Sequence, residues 1–188
     1  MIEHIPCVIL CGGKSSRMGE DKALLPFKNS NTLLEYQYNR LKQIFSNVYI
    51  SLKNDKVVFT KNIIYDNKQD ISSPMVALDS IFSSIENEKV FIITVDTPFV
   101  SQKTIEDIIN NSQNHEITIT KTNGYKTHNL CGVFEKSLQK QITKYIKQGI
   151  HKIGLLIQNN KTNVINCKNE NEFLNINTKE DYQKALQS

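Results

Sequence analysis

The stretch Cys7-Val8-Ile9-Leu10-Cys11-Gly12-Gly13-Lys14-Ser15-Ser16-Arg17-Met18-Gly19-Glu20-Asp21-Lys22 decides the fold. Its first four residues form a short apolar run closed by paired glycines, the pattern of a strand buried on both faces. Such strands belong to parallel sheets that carry helices on either side. The rest of the chain agrees. Thr32-Leu33-Leu34-Glu35 is a capping box, and Leu34, Tyr38, Leu41 and Phe45 follow at helical spacing. Val48 to Leu52 and Ile63 to Tyr65 read as strands. Ser73-Pro74 supplies an N-cap and a first-turn proline for a helix lined by Met75, Leu78, Phe82 and Ile85.

Val90 to Val95 is the most strand-like segment and stops at Asp96-Thr97-Pro98. A helix is expected around Ile105 to Ile109 and a strand over Ile117 to Thr120. Asn123-Gly124 then signals a hairpin leading into Leu130 to Phe134. Leu138, Ile142, Tyr145 and Ile146 mark a helix that ends at Gly149. A strand near Val164 and a helix capped by Thr178 close the chain. Strand and helix alternate, so the expectation is an α/β fold. It has three layers, a predominantly parallel sheet with helices on both faces, and one antiparallel strand from the hairpin. Residues 1–188 are read as a single domain, with no repeat or linker to divide them.

Bulk composition excludes more than it selects. The 188 residues carry a net charge of +4, and no run of five basic residues occurs, so nucleic acid is not an expected partner. The longest apolar runs are far below the length of a membrane-spanning helix. The start of the chain, with acidic Glu3 ahead of strand-like residues, does not read as a secretory signal, and a cytoplasmic protein is expected. Cys7, Cys11, Cys131 and Cys167 form no C-x-x-C pair, and the first two are read as small buried hydrophobes.

In a sheet of this kind, ligands bind beyond the carboxyl ends of the strands. Two segments leave strand ends there. Gly12 and Gly13 let the backbone approach a ligand and turn several N–H groups inward, while Arg17 and Lys22 add the positive charge a triphosphate requires. Plain turns use glycines equally, and the spacing matches neither G-x-x-x-x-G-K-[ST] nor G-x-G-x-x-G. Asp96 is the counterpart: a carboxylate at a strand end can hold Mg²⁺ beside phosphates, or can simply start a turn. Asp66, also at a strand end, carries the same two readings.

Leu10 to Lys22 with Ala23-Leu24-Leu25-Pro26 resembles the signature loop of the molybdenum cofactor guanylyltransferases, roughly L-A-G-G-x-S-x-R-M-G-x-D-K-A-L-L. Val95-Asp96-Thr97-Pro98-Phe99 is similar to that family's aspartate-threonine-proline strand end. Phe173-Leu174-Asn175-Ile176-Asn177-Thr178 resembles its closing F-x-N-I-N-T-P-E-D. The resemblance implies a nucleotide-binding α/β fold and transfer of GMP from GTP to molybdopterin with release of pyrophosphate. It implies that Leu10, Cys11, Gly12, Gly13 and Ser51 stand at the nucleotide, with Lys22 and Arg17 beside its phosphates. Asp66 would lie in the GTP site and Asp96 on Mg²⁺, making Arg17, Lys22 and Asp96 the catalytic set. Asn175, Asn177 and the His128-Asn129 segment would face the pterin, and cofactor-insertion proteins would be partners.

The chain departs from the pattern at three places. Cys11 replaces an alanine, Ser51 stands where an asparagine is common, and Ser72-Ser73-Pro74-Met75-Val76-Ala77 replaces a G-P-L-A-G type turn. A cytidylyltransferase acting on molybdopterin or on a sugar or polyol phosphate is the rival reading, followed by a non-catalytic molybdopterin carrier. A nicotinamide-dependent dehydrogenase is weakened by the missing G-x-G-x-x-G. On the residues alone, His128 reads as an exposed loop histidine or, less readily, a general base, and His151-Lys152 as a complement to a helix end; the resemblance implies for His151-Lys152 the binding of the acidic pterin substrate instead.

Overall fold

The computed structural model describes residues 1–12, 21–53, 59–67, 71–122 and 126–187. Among these residues seven strands form one sheet: β1 (Cys7–Leu10), β2 (Val48–Leu52), β3 (Ile63–Tyr65), β4 (Lys89–Thr94), β5 (Ile117–Lys121), β6 (Thr127–Glu135) and β7 (Thr162–Asn166). They lie in the order β3-β2-β1-β4-β6-β5-β7. All run parallel except β6, which is antiparallel to both β4 and β5. The expected single antiparallel strand is therefore β6, although Asn123 and Gly124, which signalled its hairpin, lie outside the described residues.

The helices are α1 (Leu33–Lys42), α2 (Pro74–Ser84), α3 (Gln102–Asn110), α4 (Gln139–Lys147), α5 (Ile153–Gln158) and α6 (Lys179–Gln187). Side chains alternate across the strands and build two cores. Cys7, Ile9, Phe91 and Ile93 face α1, α3 and α6, whereas Val8, Leu10, Val90 and Ile92 face α2, α4 and α5. The three-layer arrangement expected from the alternation is present.

The stop and start signals work as read. Thr32 and Ser73 accept from the backbone N–H three residues on, and Pro74 opens α2. Gly149 takes a φ of +73°, where a side chain is disfavoured, and ends α4 through the 2.9 Å bond from the Ile150 N–H to the Tyr145 carbonyl. Two details differ from expectation. Glu35 reaches back to the Asn31 N–H at 3.0 Å rather than to that of the capping residue. The face of α1 that points inward carries Leu33, Leu34, Gln37 and Leu41, with Tyr38 only half-buried beside it. Helix α5 was not expected; it is six residues long, has Gly154 in its first turn and lacks a side-chain cap, so its local signal is weak.

Chain order fixes where a site can form. From β1 the chain turns to β2 and β3 on one side, then returns to place β4 against the other side of β1. The ends of β1 and β4 lie side by side where the strand order reverses, the point at which such sheets take ligands beyond their carboxyl ends.

Candidate active site

Gly12 leaves β1 and Asp96 leaves β4 at this reversal of strand order. Backbone bonds hold the two strand ends in register, with the Val95 N–H on the Leu10 carbonyl at 3.1 Å and the Cys11 N–H on the Ser51 carbonyl at 3.0 Å. On the α2 side a cavity of about 360 Å³ opens among Leu10, Gly12, Ser51, Asp66, Ser73 and Thr94. Lys53, Ser72, Pro74, Ala77 and Leu130 complete its lining. Volume and mixed apolar and polar walls suit a nucleoside.

Four of the residues the sequence placed at a nucleotide thus meet around one hollow: Leu10, Gly12, Ser51 and Asp66. Cys11 is beside them but buried, its position between two lining residues being its contribution. Gly13 and Arg17 lie outside the described residues. Ser51 Oγ reaches Asp66 Oδ1 at 3.5 Å. Burial raises the pKa of Asp66, while the Ser51 hydroxyl and the Lys53 charge oppose that rise. The first turn of α2, where Ser72 to Ala77 depart from the family pattern, forms a wall of the same cavity. His151, which sequence left between two roles, comes to this wall too, with its Nδ1 at 3.2 Å from Ser73 Oγ.

Lys22 and Asp96 form the second part of the site. Asp21 caps the short 3-10 turn Lys22–Leu24, and Lys22 Nζ donates to Asp96 Oδ2 at 2.7 Å. The same ammonium donates to the Ile176 carbonyl and to Asn177 Oδ1, each at 2.9 Å. Their side chains are 17% and 19% exposed, so the pair is sheltered yet reachable. The Ile176 N–H also donates to the Asp96 carbonyl at 3.0 Å. Lys22, the β4 end and the Asn-Ile-Asn tail, one part of each motif, therefore meet at one ammonium group.

Asn177 serves Lys22, whereas Asn175 buries its Oδ1 without a hydrogen-bond partner among the described residues. The tail is fixed by a reciprocal cap: Asp181 accepts from the N–H groups of Asn177 and Thr178, and its own N–H donates to Thr178 Oγ1.

His128 is not an exposed loop residue. It lies in β6, half-buried, with its ring stacked on Phe173 at 3.9 Å and Nε2 at 3.1 Å from Thr122 Oγ1. Burial, with help from the Lys126 charge, pushes its pKa down to about 4. A ring that stays neutral at pH 7 is a flat wall rather than a cationic phosphate clamp. All four cysteines are free and buried, and burial pushes the Cys131 thiol up to about 12. They are packing residues, as the sequence suggested for the first two.

No group of three or more His, Cys, Asp or Glu side chains suited to a metal occurs among the described residues. A single carboxylate at a strand end still fits Mg²⁺, which binds through one or two carboxylates and completes its shell with substrate phosphates and water. Asp96, a partly exposed carboxylate at the end of β4, meets that requirement. Sequence missed Gln37 and Arg40. Gln37 is wholly buried on α1 and donates to carbonyls on both sides of Asp96. The available signal was a glutamine in the apolar stripe between Leu33 and Leu41.

Residues 7–161 match the model of the MobA-like NTP transferase domain. The molybdenum cofactor guanylyltransferase of Campylobacter jejuni subsp. doylei is 42% identical over 185 residues, 97% of this chain and 96% of that protein. That of Helicobacter pylori (strain 26695) is 33% identical over 192 residues, covering 100% of this chain and 94% of its own. The crystal structure of molybdopterin-guanine dinucleotide biosynthesis protein A from Archaeoglobus fulgidus superposes with a TM-score of 0.81 at 17% identity, over 97% of each chain. At that identity the superposition speaks for the fold, while the two full-length sequence matches speak for descent. The chain belongs to the MobA-like nucleotidyltransferases, in the family of the molybdenum cofactor guanylyltransferases.

Proposed function

We propose that the protein transfers GMP from GTP to the terminal phosphate of molybdopterin, releasing pyrophosphate and forming the guanine dinucleotide of the cofactor. The observation that carries this reading is the convergence of Lys22, Asp96 and Asn177 beside a nucleoside-sized cavity. A non-catalytic carrier has no use for a cation and a carboxylate paired next to the strand ends that line such a cavity. The family names support guanylyl transfer, and the acceptor follows from them. A reaction that consumes GTP suits the cytoplasm.

The nucleoside occupies the cavity between β1, β2 and α2. Asp66 offers a carboxylate to the donor edge of the base or the ribose hydroxyls, and Ser51 steadies that carboxylate. Gly12 admits the phosphates close to the backbone. Asp96 would hold Mg²⁺, which when bound would supply charge screening and orientation for the phosphates. An oxygen of the acceptor phosphate attacks the α-phosphorus, the bond to the bridging oxygen breaks, and pyrophosphate leaves with the electron pair. Lys22 stabilises the charge that grows on that leaving group, and Asn177 and the Ile176 carbonyl keep its ammonium in place. The tail bearing Asn175 and Asn177 marks the side from which the pterin approaches. No covalent enzyme intermediate is needed, since positioning and electrostatics suffice for such transfers.

Purified protein incubated with molybdopterin, Mg²⁺ and GTP or CTP in turn tests the reading through pyrophosphate release. GTP supports turnover well above CTP, because a buried hydrogen-bonding edge rejects a base that leaves it unpaired. Equal or better use of CTP moves the protein to the cytidylyl reading. Turnover that survives Asp96→Asn at saturating Mg²⁺ removes Asp96 from the metal.

A further inference from the structure

Gln37 sits at the centre of the inward face of α1 with 0% of its surface exposed. Leu33, Leu34 and Leu41 surround it on that face, where an aliphatic side chain would pack as well. A buried amide is unfavourable unless its groups are hydrogen-bonded, so its partners define its purpose. Gln37 Nε2 donates to the carbonyls of Thr94 at 3.4 Å and Thr97 at 3.2 Å. Its Oε1 accepts from Arg40 Nε at 3.1 Å, and Arg40 Nη1 donates to the Val100 carbonyl at 2.6 Å. A guanidinium only donates, so the amide must turn its oxygen to Arg40 and its NH₂ to the two carbonyls.

Asp96 lies between those carbonyls. The turn that carries it has other ties: Thr97 Oγ1 donates to the Thr94 carbonyl at 3.1 Å, and the Asp96 carbonyl takes the Ile176 N–H. Thr97 belongs to the turn, and Ile176 to the tail that also holds Lys22. Among the described residues, only the α1 pair anchors Thr94, Thr97 and Val100 together to a helix packed on the sheet. Arg40 therefore orients Gln37, and Gln37 grips the turn on either side of Asp96.

We propose that Gln37 and Arg40 are positioning residues for the transfer, fixing the Asp96 turn so that its carboxylate faces the metal–nucleotide complex. The inference rests on the reading of Asp96 given under the proposed function. It makes the buried polar pair a determinant of rate and metal affinity rather than of folding alone.

Two variants test it. Gln37→Leu removes both donors and the acceptor at similar volume. Gln37→Glu keeps a partner for Arg40 but turns oxygen instead of NH₂ toward the Thr94 and Thr97 carbonyls, so it separates the grip on the turn from the bond to α1. Three quantities are measured for each: kcat and KM for GTP with molybdopterin, Mn²⁺ affinity in the presence of GTP by electron paramagnetic resonance, and the folded fraction by circular dichroism at the assay temperature. A misplaced reacting group costs ~10²-fold in kcat. Loss of a group that orients a ligand weakens metal binding about 10–100-fold. Both effects are expected in Gln37→Glu with the chain folded and KM for GTP little changed.

Wild-type kcat and Mn²⁺ affinity in folded Gln37→Glu overturn the proposal, as do losses that merely track the folded fraction in both variants. Asp96→Asn in the same assays separates the two levels of inference. If it keeps turnover and Mn²⁺ binding, the reading of Asp96 fails and this inference with it. If Asp96→Asn loses both while the Gln37 variants match wild type, only the positioning role fails.

Discussion

Lys22 and His128 show how a residue's surroundings set its chemistry. Lys22 is tied to a carboxylate, a carbonyl and an amide oxygen, which fixes its ammonium in one place. Lys22→Met keeps the aliphatic stem and removes the charge. Its single-turnover rate of pyrophosphate release is expected to fall ~10²–10³-fold, with GTP affinity falling much less. A rate and affinity both near wild type, measured side by side, would remove Lys22 from the reaction. His128 titrates near 4 when folded and near its ordinary 6.5 when unfolded. Between those values the unfolded chain binds more protons, so stability is complete above about pH 6.5 and declines as the pH falls toward 4. The His128→Gln protein should show a shallower fall in thermal midpoint between pH 7 and pH 4.5. Parallel curves for the two proteins would place the acid sensitivity elsewhere.

Elements were legible from local pattern wherever a start or stop signal was chemical. Thr32 and Ser73 act through hydroxyls that accept from the N–H three residues on, and Gly149 through its own φ, so α1, α2 and α4 could be bounded without knowing their neighbours. Strand β6 was read too short, because its first residues lack an apolar alternation. Thr127 and His128 join the sheet by pairing with Lys121 and Thr120 of β5, a contact that their own sequence does not announce. The same pairing makes Gly132 indispensable. A Cβ there would stand 2.2 Å from the Thr118 carbonyl oxygen and 3.1 Å from Ile119 Cα, both backbone atoms. β5 and β6 would have to separate beside the point where their register shifts. Gly132→Ala is expected to cost about 1–3 kcal/mol, a loss of roughly 2–12 °C in thermal midpoint. Calorimetry that finds the variant as stable as wild type would refute this close approach.

At the scale of the molecule, two cores share one sheet, since successive residues of β1 and β4 point alternately into each. Neither core can melt while the other keeps those strands, so a single cooperative unfolding transition is expected, with circular dichroism and calorimetry coinciding. GTP at 100 times its dissociation constant should add about 2.7 kcal/mol and raise the midpoint by roughly 5–11 °C. CTP at the same concentration should raise it less. Two resolved transitions would divide the chain into independent units, and equal shifts would deny the cavity a preference for guanine. The sequence by itself determined the layered α/β fold, the parallel sheet with one reversed strand, and the family, because hydrophobic period, caps and motif residues act over a few positions. Only tertiary structure decided that Lys22 meets Asp96 and Asn177, and that Gln37 braces the turn around Asp96. These partners lie 74, 155 and 60 residues apart, and periodicity states which face a side chain takes but not which distant backbone the folded sheet brings against it.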